Sequence, residues 1–268
     1  MTLPSVPVSF SWTRASCGTV LTCRPLEVLA PHLFTTRDLR LASRDDWRRV
    51  SEALDADQVA TVAQVHGRGV VVIKRGSPAP TGREEADVLV SDHPAVAVAV
   101  RAADCVPLLL ADARTGAVAA VHAGWRGTAA GAATAAVEAL TREFGARPEN
   151  LIAAIGPSIG ACCYEVGSDV VDAFAAAGHA RHLIDRWFSV GDRGSGIRDR
   201  GSGIGDRTSF LYLDLAGANR DQLVLAGVPE ARIHDCGLCT AMHLDVLTSY
   251  RAEKDQAGRI AGAIRRRA

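Results

Sequence analysis

Residues 96–127 read VAVAVRAADCVPLLLADARTGAVAAVHAGWRG, and this stretch decides the fold. Val96–Val100, Val106–Leu110 and Val118–His122 are short apolar runs rich in valine and leucine, separated by polar or glycine-bearing breaks. Such runs predict β-strands. The segment that follows, Gly127–Phe144, is alanine-rich with helical spacing and predicts a helix leaving a strand. Outward from this centre, Val59–Val65, Val70–Ile73, Ala86–Val90, Leu151–Ile155, Ala231–Asp235 and Ile260–Ile264 also read as strands. Asp45–Leu54, Gly167–Ala177 and Leu213–Ala226 read as helices. The expected class is α/β or α+β with a substantial sheet, in a single domain over residues 1–268. Residues 1–27 look like a loose lead-in with some strand character. Residues 191–207 hold a repeat, DRGSGI at 192–197 and again at 199–204, and are expected to form a low-complexity surface insert.

Composition removes several function classes. The 268 residues include 30 Lys+Arg and 30 Asp+Glu, a formal net charge of zero, which argues against nucleic acid as a partner. Lys74 and Lys254 are the only lysines, and neither belongs to a phosphate-cradling GxxxxGK[ST] loop. The longest apolar run, 95–100, is too short to span a membrane. Met1–Cys17 lacks the charged-then-apolar pattern of a secretory signal. With 7 cysteines, an odd number, the expectation is reduced thiols in a cytoplasmic protein. A monomer is the default.

Three clusters carry chemistry: Gln64-Val65-His66-Gly67, Ala103-Asp104-Cys105, and His122-Ala123-Gly124-Trp125-Arg126-Gly127. His66, Cys105 and His122 stand 39 and 17 residues apart, each at a strand terminus or loop. That spacing is too long for a zinc finger and suits ligands converging from neighbouring strands. Two imidazoles and a thiolate hold zinc with one position left open, the pattern of a catalytic site. The alternative is a buried thiol beside two hydrogen-bonded histidines.

QVHG, ADC-V-P-L-L-L, HAGWRG and AIGPSIGACCYEV together resemble the YfiH-type family, often labelled laccase domain or polyphenol oxidoreductase. Cys239-Thr240, Ser249-Tyr250-Arg251 and Gly258-Arg259 resemble the family's tail elements, in order. The resemblance runs from about Phe34 to the C-terminus. It implies a four-layer α-β-β-α fold, akin to the catalytic domain of cytotoxic necrotizing factors, and zinc on His66, Cys105 and His122. It also implies a purine nucleoside and phosphate as substrates: phosphorolysis of adenosine, inosine and methylthioadenosine, with adenosine deamination also reported of the group.

Phosphorolysis needs a fixed cation for phosphate. Arg126, at a predicted helix start, is the first candidate, and Arg37, in a T-R element, the second. Asp104, beside Cys105, is a candidate proton shuttle or ligand-orienting carboxylate. Trp125 is a candidate for stacking the purine, and Gln64 for contacting substrate or fixing the His66 loop. True laccase chemistry is not expected. None of the 8 histidines stands two residues from another, and Met1 and Met242 are the only methionines. Copper would be an incidental occupant of an open site.

After Arg37 the family's Gly-Gly-x-Ser and Asn-Leu elements are missing, and no glycine or asparagine occurs before Gln64. The metal site is expected to survive this, while the loop bordering the substrate is shortened. Two rivals follow from the sequence. Gly156-Pro157-Ser158-Ile159-Gly160 is a literal GxSxG, which would make Ser158 a hydrolase nucleophile with Asp169 and His234. The other rival is a non-enzymatic or regulatory metal-binding protein. Cys236-Gly237-Leu238-Cys239 is a lone C-x-x-C, Cys162-Cys163 read as buried thiols, and His179 and His182 as solvent-facing.

Overall fold

A computed structural model describes residues 3–191 and 210–267. The expected insert lies almost wholly outside the described residues. The chain opens with a hairpin of β1 (Phe10–Ala15) and β2 (Gly18–Cys23), then α1 (Arg24–Glu27) and β3 (His32–Thr35). Helix α2 (Arg44–Ala53) starts at a capping box, in which Ser43 and Asp46 satisfy each other's backbone N–H groups. Five strands follow: β4 (Gln58–Ala60), β5 (Val70–Ile73), β6 (Val88–Ser91), β7 (Val96–Ala102) and β8 (Val106–Asp112). β9 (Val118–Ala123) leads into α3 (Trp125–Ala130) and α4 (Ala132–Phe144). Then come β10 (Leu151–Ile155), β11 (Glu165–Val166), α5 (Ser168–Ala176), α6 (Arg181–Trp187), β12 (Phe188–Gly191) and β13 (Phe210–Leu213). The last elements are α7 (Leu215–Leu225), β14 (Ile233–Asp235), α8 (Tyr250–Glu253) and β15 (Ile260–Arg265).

Two six-stranded sheets, ordered β1-β2-β3-β15-β7-β4 and β14-β10-β8-β9-β6-β5, lie face to face. The two-residue period of the strands explains how. In β7, Val96, Val98 and Val100 enter the core shared with Leu109, Ala111, Val118 and Ala120 of the other sheet. Ala97 and Ala99 point the other way, under Val50 of α2 and the nearby Leu54. In β8 and β9, Leu108, Leu110, Ala119 and Val121 turn outward beneath α4 and α7. The layers are therefore α-β-β-α, as the resemblance implies. Strands covered on both faces are apolar along nearly their whole length, which is why these runs do not alternate. A three-stranded sheet, β11-β13-β12, sits apart from the two large ones.

Several boundaries differ from the sequence reading. The expected lead-in holds a hairpin that forms the edge of the first sheet. The strand expected over Val59–Val65 stops at Ala60, and beyond it Ala63 makes only an isolated bridge to Glu85. The helix expected over Gly127–Phe144 is two helices. Gly131 adopts φ +83°, a left-handed conformation that ends α3 and restarts the chain as α4. His179 is half-buried rather than solvent-facing: its Nε2 meets the Ala129 carbonyl at 2.9 Å, and its ring stacks edge-on against Trp187. Among the described residues no helix is long and apolar enough to cross a membrane.

His32 makes the fold sensitive to acid. Its Nε2 accepts from the Cys23 N–H at 2.8 Å and its Nδ1 donates to the Ala30 carbonyl at 3.0 Å, so only the neutral ring fits. Burial drives its pKa down to about 4, against a small rise from the Ala30 bond. The folded pKa lies below the unfolded value of about 6.5. The stabilisation is therefore complete above that value and is lost as pH falls through 4. Equilibrium urea unfolding should show a loss of roughly 3 kcal/mol over this window, with about one proton taken up on unfolding near pH 5. A flat profile between pH 7 and 5 would contradict the account.

Candidate metal and active site

The ends of β7 and β9 and the loop before β5 bring the three clusters together. Donor atoms of His66, Cys105 and His122 all lie within 4.8 Å of one another. The two imidazole rings meet edge-on, with centroids 4.9 Å apart. Cys105 follows the end of β7, and His122 lies near the end of β9. His66 sits on the loop before β5, with φ +61°. Asp104 has φ +85°. Left-handed conformations cost non-glycine residues about 1–3 kcal/mol each, so the surrounding contacts must impose them.

Asp87, fully buried, supplies much of that constraint. Its Oδ1 accepts from His122 Nδ1 at 2.8 Å and from the His66 N–H at 3.0 Å; its Oδ2 accepts from the N–H groups of Gly67 at 2.7 Å and Val65 at 3.3 Å. One carboxylate thus shapes the His66 turn and orients the His122 ring. With Nδ1 engaged, Nε2 of His122 is the free donor. The same set of bonds governs protonation at the site. Burial opposes charge on His122, but hydrogen bonds to Asp87 and Cys105 outweigh it and raise the imidazole to about 9. Burial likewise opposes a thiolate at Cys105, and hydrogen bonds from His122 and His66 lower it to about 7.

The glycines of HAGWRG are close-approach positions. A Cβ on Gly124 would lie 2.9 Å from Cys105 Sγ and 3.0 Å from His66 Cδ2. A Cβ on Gly127 would lie 2.9 Å from the Gly67 carbonyl. Helix α3 is pinned from behind by α7, where Asn219 donates to Thr128 Oγ1 at 2.9 Å and Gln222 donates to the Thr128 carbonyl at 2.7 Å.

The three donors lie in a cavity of about 880 Å³ that is also lined by Asp104, Trp125, Arg126 and Tyr164. Arg101, Arg251, Lys254 and Arg259 complete a cationic wall. A family model described as multi-copper polyphenol oxidoreductase laccase matches residues 32–267.

The chain belongs to the multi-copper polyphenol oxidoreductase laccase family.

A Deinococcus radiodurans protein named purine nucleoside phosphorylase is 37% identical over 257 residues, covering 88% of this chain and 89% of that one. A protein from an unknown prokaryotic organism, named adenosine deaminase RL5, is 36% identical over 70% of this chain and 67% of its own. The crystal structure of the Bacillus licheniformis hypothetical protein YfiH superposes with a TM-score of 0.77 at 25% identity, covering 94% of this chain and 97% of that one. The relatives named as purine nucleoside phosphorylases support a phosphorylase-like enzyme.

Of the residues singled out in the sequence, Gln64, His66, Asp104, Cys105, His122, Trp125 and Arg126 line this cavity. Arg37 does not. Its guanidinium is held by Glu253 at 2.8 Å and by the carbonyls of Leu244 and Leu247, so it ties the C-terminal segment to the end of β3. Gln64 pairs both ends of its amide with the Arg101 backbone, each at 2.8 Å, and so fixes the loop before His66. Asp104 accepts from Thr240 Oγ1 and from the Arg251 N–H, both at 2.6 Å. The Arg126 guanidinium lies 4.2 Å from the centroid of the Trp125 ring, and among the described residues no carboxylate forms an ion pair with it.

Ser158 lacks the surroundings expected of an elbow nucleophile. It is 5% exposed, and its N–H and carbonyl are bonded to Leu238 and Thr240. Its hydroxyl has no hydrogen bond to a histidine among the described residues. Cys236 and Cys239 diverge into different surroundings, so the C-x-x-C is not a unit. Sequence reasoning missed Asp87 and the cationic wall. An acid directly before a valine-rich strand was the only available signal for Asp87.

Proposed function

We propose that this chain is a purine nucleoside phosphorylase whose active site is the cavity over His66, Cys105 and His122, with zinc as the ion these residues hold. One observation carries the reading: three nitrogen and sulfur donors share a single cavity with a wall of cations. Two imidazoles and a thiolate suit zinc, and three protein ligands leave a position open. Asp87 presents His122 through Nε2, and Gly124 keeps the space beside Cys105 clear. When bound, zinc would supply Lewis-acid polarisation of an oxygen in the open position.

The chain's own groups account for the rest. In phosphorolysis a phosphate oxygen bonds to C1′ of the ribose, and the glycosidic bond to the purine breaks. The phosphate dianion needs fixed positive charge, which Arg126 offers, supported by Arg101, Arg251 and Lys254. Asp104 is held by Thr240 and Arg251, and each of its oxygens keeps a lone pair with which to accept a substrate N–H or O–H. Trp125 and Tyr164 offer rings for the purine. Gln64 acts through Arg101 rather than on the substrate.

A second reading, adenosine deamination in the same cavity, is favoured by the relative named adenosine deaminase. One assay separates the two. Zinc-loaded protein is incubated with adenosine or inosine, with and without phosphate, and the products are resolved. Phosphorolysis gives free base and ribose 1-phosphate in equal amounts and requires phosphate. Conversion of adenosine to inosine without phosphate would mark the deaminase. Zinc-replete protein that yields neither would overturn both and leave a non-catalytic metal protein. A Gly124→Ala variant should weaken zinc at least about ten-fold in chelator competition, an effect like that of disturbing a ligand's supporting contacts. Unchanged affinity would show that the contacts of Gly124 with Cys105 and His66 do not shape the site.

A further inference from the structure

Outside the cavity, the described residues contain one more convergence of metal-type donors. The Sγ atoms of Cys162, Cys163 and Cys239 all lie within 4.8 Å of one another, and those of Cys162 and Cys163 are 3.6 Å apart. The backbone brings them together. The segment after β10 runs beside residues 238–240, with Ser158 bridged to Cys239. The Thr240 N–H donates to the Ser158 carbonyl at 2.9 Å, fixing the register. A turn then closes through the N–H groups of Cys163 and Tyr164, both donating to the Gly160 carbonyl at 3.0 Å, and swings the two adjacent cysteines toward Cys239. Gly160 is the hinge of the cluster. A Cβ there would sit 3.3 Å from both Cys162 Sγ and Cys239 Cβ, so glycine leaves room for the three sulfurs. The Gly160 N–H also donates to Cys239 Sγ at 3.3 Å, which fixes the sulfur in place at the floor of the group.

Cys162 is exposed, Cys163 half-buried and Cys239 buried, so the group has an entrance and a floor. Cys162 and Cys163 are thus not the buried pair the sequence suggested. All three thiols are free.

We propose that Cys162, Cys163 and Cys239 form a second metal site, distinct from the His66–Cys105–His122 centre and selective for copper(I). Three sulfurs about 2.3 Å from one ion lie roughly 4 Å apart, which the cluster already approaches. The donor set has no nitrogen or oxygen, and purely thiolate sets favour soft ions. Three sulfurs complete a trigonal shell for copper(I), whereas structural zinc takes a fourth ligand. The proposal does not depend on the phosphorylase reading.

The test uses the Cys105→Ala protein, reduced and anaerobic, so that the cavity cannot contribute its thiolate. Copper(I) is offered as its bathocuproine disulfonate complex, and the loss of colour reports copper withdrawn. One equivalent per chain is expected. Adding Cys162→Ser or Cys163→Ser should weaken retention at least about 100-fold, the upper end of what losing even a supporting contact costs. Cys17→Ala, in the separate core beneath α2, should leave it unchanged. Cys162 is exposed, so its serine variant is expected to keep the far-ultraviolet dichroism of the parent. X-ray absorption at the copper edge should show a shell of sulfur alone. No copper withdrawn, retention indifferent to both serine variants, or a nitrogen-containing shell would each overturn the proposal.

Discussion

Cys105→Ala is expected to lower kcat/KM for phosphorolysis at least about 100-fold, or some 2.7 kcal/mol of transition-state stabilisation. Purified protein should also hold less than about one tenth of an equivalent of zinc. The size follows from the donor set. Among the described residues Cys105 is the only thiol lining the cavity, and two imidazoles hold its pKa to about 7 despite burial. A metal-ready thiolate is therefore present near neutral pH at modest cost. Alanine leaves two histidines, which cannot by themselves fix an ion in one geometry. Metal analysis and steady-state kinetics on the same preparation check both halves. Base release that persisted in the variant would remove zinc from the mechanism while leaving the cationic wall in place.

Asp87→Ala should have the largest effect on stability. It would strip partners from the Val65, His66 and Gly67 amides and from His122 Nδ1 at once. Breaking a buried charged pair costs about 3–5 kcal/mol, and stranded amides add to that. Urea unfolding of zinc-free protein should show a loss of this order, separating the fold's dependence on Asp87 from the metal's. Zinc affinity should fall about 10- to 100-fold as well, because the His122 ring loses its orientation. A variant with unchanged zinc affinity would show that the His122 ring is held by its packing instead.

These two residues differ in how legible they were. Cys105 and His122 stand at strand ends, and His66 follows an apolar run that leads into the same loop cluster. Their meeting could be read from spacing and residue type. Asp87 carries no such mark, because three of its four partners are amides presented by the turn of the loop before β5 and the fourth is His122, brought up by β9. Arg37 shows the reverse problem. It looks like a phosphate ligand until Glu253 and the carbonyls of Leu244 and Leu247, more than 200 residues away, claim it. Lys254 and Arg259 are brought to the cavity with β15, which returns beside β7, a pairing that local patterns do not encode. The layered fold was visible in the doubly covered strands of 96–123. The hairpin at β1 and β2 was not, because β1 is a half-exposed edge strand with one fully buried residue.

The most direct test is a crystal grown with zinc and phosphate and measured across the zinc absorption edge. The account predicts an anomalous peak about 2.3 Å from Cys105 Sγ and about 2.0–2.1 Å from a ring nitrogen of each of His66 and His122. It also predicts phosphate density in the same cavity, within hydrogen-bonding reach of Arg126. A cavity without a zinc peak at saturating zinc, or phosphate bound elsewhere with Arg126 untouched, would contradict it.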